Sequence, residues 1–127
     1  MIDFKKKIHS ERVILRPMEM KDFEEMKNLT KNSQMWYHFT SDLSDENTLK
    51  KWIESAVIDL KKNKSLPFTI IDAVNKEIIG TTRIGNLSNI HNRVEIGWTW
   101  ISEKYQGTGI NGHVKNLLFK YLFTKTK

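Results

Sequence analysis

An α/β sheet of mostly antiparallel strands with flanking helices is the fold this sequence predicts, and three observations carry the reading. Apolar residues alternate with a period of two in "VEIGWTW", the pattern of a strand, while "RVILRP" reads as a strand ended by its proline and "LPFTIIDAVNKEIIGTTRIG" as a hairpin. They recur at helical spacing in "EMKDFEEMKNLT", between Leu49 and Leu60, and again from Ile110 onward. The order is therefore strand, two helices, three strands, helix, an α+β arrangement around one sheet. At 127 residues the chain suits a single domain spanning residues 1–127.

The first strand, Arg12 to Pro17, ends at a proline that has no N–H to give a ladder. Met20, Phe23, Met26 and Leu29 come next, spaced by three, as one face of a helix. After the irregular "KNSQMWYHFTSD", Ser44 is placed to cap a second helix with Asp45 and Glu46 in its first turn. Leu49, Trp52, Ile53, Ala56, Val57 and Leu60 form that helix's apolar face. A hairpin then turns near Asn75 and Lys76. The loop "NLSNIHN" leads to the last strand, where Val94, Ile96, Trp98 and Trp100 alternate with Glu95, Gly97 and Thr99. In the final helix Val114, Leu117, Leu118, Tyr121 and Leu122 share a face.

Composition narrows the function classes. No run approaches the ~20 apolar residues of a membrane span, and "MIDFKKKIHSER" is not followed by the apolar h-region of a signal peptide. The chain has no cysteine, hence neither disulfide framework nor thiolate nucleophile, which fits a reducing cytoplasm. Its four histidines show no metal-ligand spacing, so no metal is expected. The net charge of +6 fits lysines on solvated helix faces, and it also fits attraction to a phosphorylated cofactor or a nucleic acid. Aromatics interleaved with arginine on an exposed sheet face, the signature expected of a nucleic-acid binder, are not evident.

The segment between the last strand and the last helix is the most informative. "YQGTGING" places glycines at 107, 109 and 112 where a strand empties into a helix start. The first-turn N–H groups of a helix have no partner inside it, and its macrodipole puts partial positive charge there. Such a segment makes an anion cradle suited to a diphosphate. The same residues also suit a merely structural tight connection.

The order of elements and this loop together resemble the GNAT superfamily of acetyl-CoA-dependent N-acetyltransferases, and within it the branch of ribosomal-protein N-acetyltransferases. That superfamily's pyrophosphate motif, Arg/Gln-x-x-Gly-x-Gly/Ala, falls on Gln106-Gly107-Thr108-Gly109-Ile110-Asn111. The first and fourth positions match; the sixth is Asn111, and Gly112 comes one place late. "LRP" after a short strand, "IIGTTRI" and "VEIGWTW" extend the resemblance over Glu11 to Phe123.

The resemblance implies acetyl transfer from acetyl-CoA to a primary amine, on a small molecule, a lysine or a protein N-terminus, by direct attack. It makes Gln106, Gly107, Thr108, Gly109, Ile110, Asn111 and Gly112 the diphosphate site. It also places the backbone of Trp98, Thr99, Trp100 and Ile101, with Trp100 and Ile101 foremost, along the pantetheine arm, with both tryptophan side chains, Trp98 and Trp100, free to be core. Lys104, Lys115 and Lys120 are candidate contacts for the nucleotide phosphates, or simply solvated. "MWYHFTSD", Met35 to Asp42, stands where the family's acceptor-binding loops lie, with Trp36, Tyr37, His38 and Phe39 as candidate lining of an acceptor pocket, although such clusters also serve as packing under a loop.

Glu95 is the candidate general base. A lysine with pKa about 10.4 or an α-amine near 7.7–8.0 must lose a proton before it attacks, and a carboxylate can take it directly or through one water. The alternative is a glutamate paired with Arg83 or Arg93. The family continues beyond this helix with a fifth strand, another helix and a closing strand pair, whereas only "TKTK" comes after Phe123 here. The resemblance thus implies a partial domain without the family's usual tyrosine acid. The edge of its last strand is then expected to drive association, by pairing with a second copy or by aggregation. A non-catalytic remnant that keeps CoA binding or an oligomerising role is the alternative reading.

Overall fold

The computed structural model of the chain describes residues 7–36, 41–85 and 95–125, with the side chains of 95–98 and 122–125 outside the description. Five strands, β1 (Ile8–His9), β2 (Val13–Pro17), β3 (Leu66–Asp72), β4 (Ile78–Gly85) and β5 (Glu95–Ile101), form one sheet in the order β1-β2-β3-β4-β5. Every neighbouring pair is antiparallel. Among the described residues three α-helices accompany it: α1 (Phe23–Leu29), α2 (Glu46–Lys61) and α3 (Ile110–Lys125).

Strand β1 has no counterpart in the sequence reading. Its two residues, opposite Leu15 and Ile14, are too few to show a period. Two other elements differ locally. The first helix opens as a 3-10 turn, Met20–Asp22, before α1, and Met20 at its start is exposed. The cap of α2 is Asp45, not Ser44. The Asp45 carboxylate accepts from the Thr48 N–H at 3.2 Å, while the Ser44 hydroxyl is engaged by Asp42. Both residue types cap helices well, so only the local geometry separates them. The β3–β4 turn falls as expected, with Lys76 at φ +66° and the Asp72 carboxylate accepting from the Val74 N–H.

The sheet is covered on both faces. Val13, Leu15, Leu66, Phe68, Ile70, Ile84 and Ile101 pack with Ile110, Val114, Leu118 and Tyr121 of α3. On the other side Met26, Leu49, Ile53 and Ala56 of α1 and α2 enclose Trp36, Ile78 and Trp100. Double coverage explains why β3 reads as a nearly continuous apolar run, its first five residues all buried.

A buried charge pair ties the end of β2 to the 3-10 turn before α1. Arg16 grips Asp22 with both terminal guanidinium nitrogens, at 2.6 and 3.0 Å. The same carboxylate accepts from the Glu19 N–H and from the Thr69 hydroxyl on β3. Burial pushes the Asp22 carboxyl up. The bonds from Arg16, the Glu19 N–H and Thr69 outweigh that and hold it below the usual carboxylate range.

Candidate functional site

The register along β4 and β5 sets the geometry of the site. Gly80 pairs with Ile101, Thr81 with Trp100 and Arg83 with Gly97, so between the last two pairs β5 carries one residue more than β4. This is a β-bulge, which interrupts alternation and re-aims the neighbouring side chains. Its consequence is visible at Thr99, whose hydroxyl meets Thr82 at 2.8 Å, while Gly97 lies opposite Arg83. The strict alternation expected from Glu95 through Trp100, with Gly97 and Thr99 on one face, does not hold. Bulges have no signature in a period-two pattern.

Beyond β5 the chain makes a 3-10 turn, Glu103–Tyr105, then the glycine loop, then α3. Gly107 and Gly109 have φ of +79° and +82°. These values lie in the left-handed region, which explains glycine at both positions. A Cβ at Gly107, Gly109 or Gly112 would meet nothing within 4 Å, so the loop borders open space. The first turn of α3 contains no acidic residue, and the His113 N–H closes that turn on the Gly109 carbonyl at 3.1 Å. The N–H groups of Ile110, Asn111 and Gly112 precede that first closure and are therefore available to a ligand.

A cleft of about 300 Å³ opens here. Its walls are Thr99, Trp100 and Ile101 from β5, Tyr105, Gln106, Gly107 and Gly109 from the loop, Ile110 and Asn111 from α3, and Met35 from across the sheet end. The structure thus gathers Trp100, Ile101, Gln106, Gly107, Gly109, Ile110 and Asn111 around one space. Thr108 and Gly112 belong to the same turn without lining it. An open, anion-favouring helix start with free N–H donors fits a diphosphate.

Several members have structural tasks as well. The Gln106 amide donates to the Ile101 carbonyl at 3.0 Å, tying the loop to β5. The Thr108 hydroxyl donates to the Tyr105 carbonyl. Trp100 is buried, and its ring meets that of Trp36 edge-on at 5.6 Å. The indole N–H of Trp100 has no hydrogen-bond partner among the described residues. Trp36 is buried too, its N–H donating to the Thr30 carbonyl. Tyr37 and His38 lie outside the described residues. Glu95 is paired with Gly85 along the backbone, and its side chain lies outside the description. Lys104 rests over the Tyr105 ring at 5.7 Å.

The sequence reading missed Tyr105 and Met35 as cleft residues. The signal for Tyr105 was its place immediately before the glycine loop; Met35 opens the segment expected near the acceptor, and only the tertiary fold brings it to the cleft. Tyr105 donates to the Asp72 carboxylate at 2.5 Å and accepts from the Asn75 amide at 3.3 Å. Its bond to Asp72 holds the phenol above its ordinary pKa and the carboxyl below its own. Among the described residues no group of three His, Cys, Asp or Glu side chains is placed to hold a metal ion. No described helix is long and apolar enough to cross a membrane.

Comparison with known proteins agrees with this fold. A Vibrio cholerae protein provisionally assigned as a ribosomal-protein-serine acetyltransferase superposes with a TM-score of 0.82 at 18% identity, over 98% of this chain and 71% of the other. An acetyltransferase of Salmonella typhimurium that modifies the N-terminal serine of ribosomal protein L7/L12 does so with a TM-score of 0.79 at 16% identity, over 94% and 69%. A ribosomal L7/L12 alpha-N-protein acetyltransferase in complex with coenzyme A gives 0.76 at 17% identity, over 92% and 67%. The chain therefore spans about two thirds of the length of these proteins. None of the curated proteins matches it. The model of the acetyltransferase (GNAT) domain matches residues 12–127, the stretch that contains β2 to β5, the bulge and the glycine cradle. The chain accordingly belongs to the GNAT acetyltransferase family.

Proposed function

We propose that this domain binds acetyl-CoA with the diphosphate on the Gln106–Gly112 turn and passes the acetyl group to the α-amine of a protein N-terminus. The observation that carries the proposal is the cradle: an open helix start, free of acidic residues, set at the end of the strand that lines the cleft. Structural neighbours described as acting on the N-terminus of ribosomal protein L7/L12 support that acceptor class. A neutral amine forms the new C–N bond to the acetyl carbon, the C–S bond breaks, and the thiolate leaving as CoA takes a proton. Glu95 is the proposed acceptor of the amine's proton, and the backbone of Trp100 and Ile101 the proposed support for the pantetheine arm. Trp36, Tyr37 and His38 are proposed to border the acceptor, Trp36 through packing alone.

The cradle is tested at Gly109. Valine there is strained by the positive φ whatever the space, so the turn must change shape. Gly109→Val is expected to abolish CoA binding in calorimetry with far-UV circular dichroism nearly unchanged, while Gly109→Asn, which tolerates this backbone, keeps much of the affinity. Undiminished affinity in the valine variant would remove the cradle from the proposal.

The base is tested by Glu95→Gln. Turnover of a peptide α-amine should fall by on the order of 10²-fold, most at low pH where less of the amine is already neutral, with CoA affinity barely altered. Turnover within about twofold of the parent across the pH profile would assign proton removal elsewhere.

A second reading has support from the sheet order. Strand β5 has β4 on one side and no partner strand on the other among the described residues. Such an edge is a template for a further strand, and self-association through it is the proposed oligomeric mode. Light scattering that stays at the monomer mass at micromolar concentration would exclude it.

A further inference from the structure

Two short turns, remote in sequence, converge on the cradle. The link between β1 and β2 is tight: the Ser10 N–H donates to the Val13 carbonyl, and the Ser10 hydroxyl oxygen accepts from the Arg12 and Val13 N–H groups at 3.2 and 3.3 Å. From this turn Ser10 Oγ reaches His113 Nε2, in the first turn of α3, at 2.7 Å. Arg12 Nη2 donates to the Thr108 carbonyl at 3.3 Å. Thr108 is the residue between the two glycines of positive φ. The Arg12 carbonyl in turn accepts from the Ala73 N–H, which anchors the β1–β2 turn on the β3–β4 turn that also holds Tyr105.

Glycine-flanked loops lose more conformational entropy on ordering than other segments. A ligand that had to order this one would bind more weakly by the fraction of time the loop is competent. Arg12 also occupies the Thr108 carbonyl. A carbonyl held by a guanidinium does not turn its partial negative charge toward an anion, and the guanidinium adds positive charge at the rim. We infer that the β1–β2 turn is a brace, in which Arg12 and Ser10 are positioning residues that hold the diphosphate cradle in its binding form before the cofactor arrives. The inference rests on the cradle reading above, and it assigns a task to residues outside the glycine motif.

The test compares Arg12→Ala, Arg12→Lys and Ser10→Ala with the parent chain. Nitrogen-15 relaxation reads the Gly107 and Gly109 amides without ligand, and calorimetry reads CoA and dephospho-CoA. In Arg12→Ala the order parameters of both glycines are expected to drop from about 0.85 to below about 0.6. The Kd for CoA should rise about tenfold, as for a loop competent one tenth of the time. Dephospho-CoA should lose the same factor, because the brace touches the loop and not the ribose phosphate. Arg12→Lys, which keeps charge but not the fork, should fall between, and Ser10→Ala should loosen the same amides. A structural role alone would lower Tm and leave both affinities alone, which would overturn the brace. So would rigid amides with weakened binding, or an affinity loss confined to CoA, since either means direct contact. A parent chain that does not bind CoA would sink the cradle reading itself. A parent that binds, beside an Arg12→Ala chain that binds equally, sinks only the brace.

Discussion

Gly80→Ala is expected to be among the most damaging single-methyl additions the domain can receive. A Cβ at this position would stand 2.2 Å from the Trp100 carbonyl oxygen and 3.1 Å from the Ile101 Cα. Both obstacles are backbone, so no rotamer change relieves them. Strands β4 and β5 would have to separate where Gly80 pairs with Ile101, next to the pairing of Thr81 with Trp100. Overpacking of this kind costs about 3 kcal/mol or more when backbone must move. For a chain of this length that lowers Tm by about 10 °C. The displaced strand is also the wall of the cleft, so CoA affinity should fall with stability. Thermal unfolding decides it: a variant that melts within about 2 °C of the parent would mean the two strands do not approach as closely as described.

Asp22→Asn should be comparably costly for a different reason. The Asp22 side chain is 2% exposed, and its carboxylate accepts four hydrogen bonds, two of them from Arg16, whose own side chain is 17% exposed. The amide keeps the shape but presents one acceptor oxygen and no charge. Arg16 is then left with the exposed Glu19 as its ionic partner. Breaking a buried pair from one side typically costs about 3–5 kcal/mol, and the retained Glu19 contact puts this case near about 3. The pH dependence has a definite sign. The folded-state pKa of Asp22 is depressed, so its contribution is present above the unfolded value of about 3.9 and is lost as pH falls through the lower folded value. The parent and Asp22→Asn should therefore differ most in denaturant midpoint above about pH 4 and converge in more acidic solution. A gap that stayed constant into acid would show that the charge of Asp22 is not what stabilises the fold.

The order of elements from β2 onward and the amphipathic face of α3 were legible in the chain itself. Each is a periodic signal written over six or more consecutive residues. The glycine cradle was legible for another reason: positive φ at Gly107 and Gly109 leaves few alternatives to glycine, so the conformation marks the sequence directly. The resemblance in "LRP", "IIGTTRI" and the Gln106–Asn111 motif named the family that residues 12–127 match. Features that arise between segments were not legible. The bulge in β5 is a difference in count between two strands, visible only when their register is known. The two-residue β1 is too short to alternate, yet it places the Ser10–Arg12 turn against α3. Met35 and Tyr105 join the cleft because the sheet end and the β3–β4 turn meet there. Periodicity and turn chemistry are local, decided by neighbours along the backbone. Register, bulges and the convergence of distant turns are settled only by packing, which brings together segments that no local signal connects.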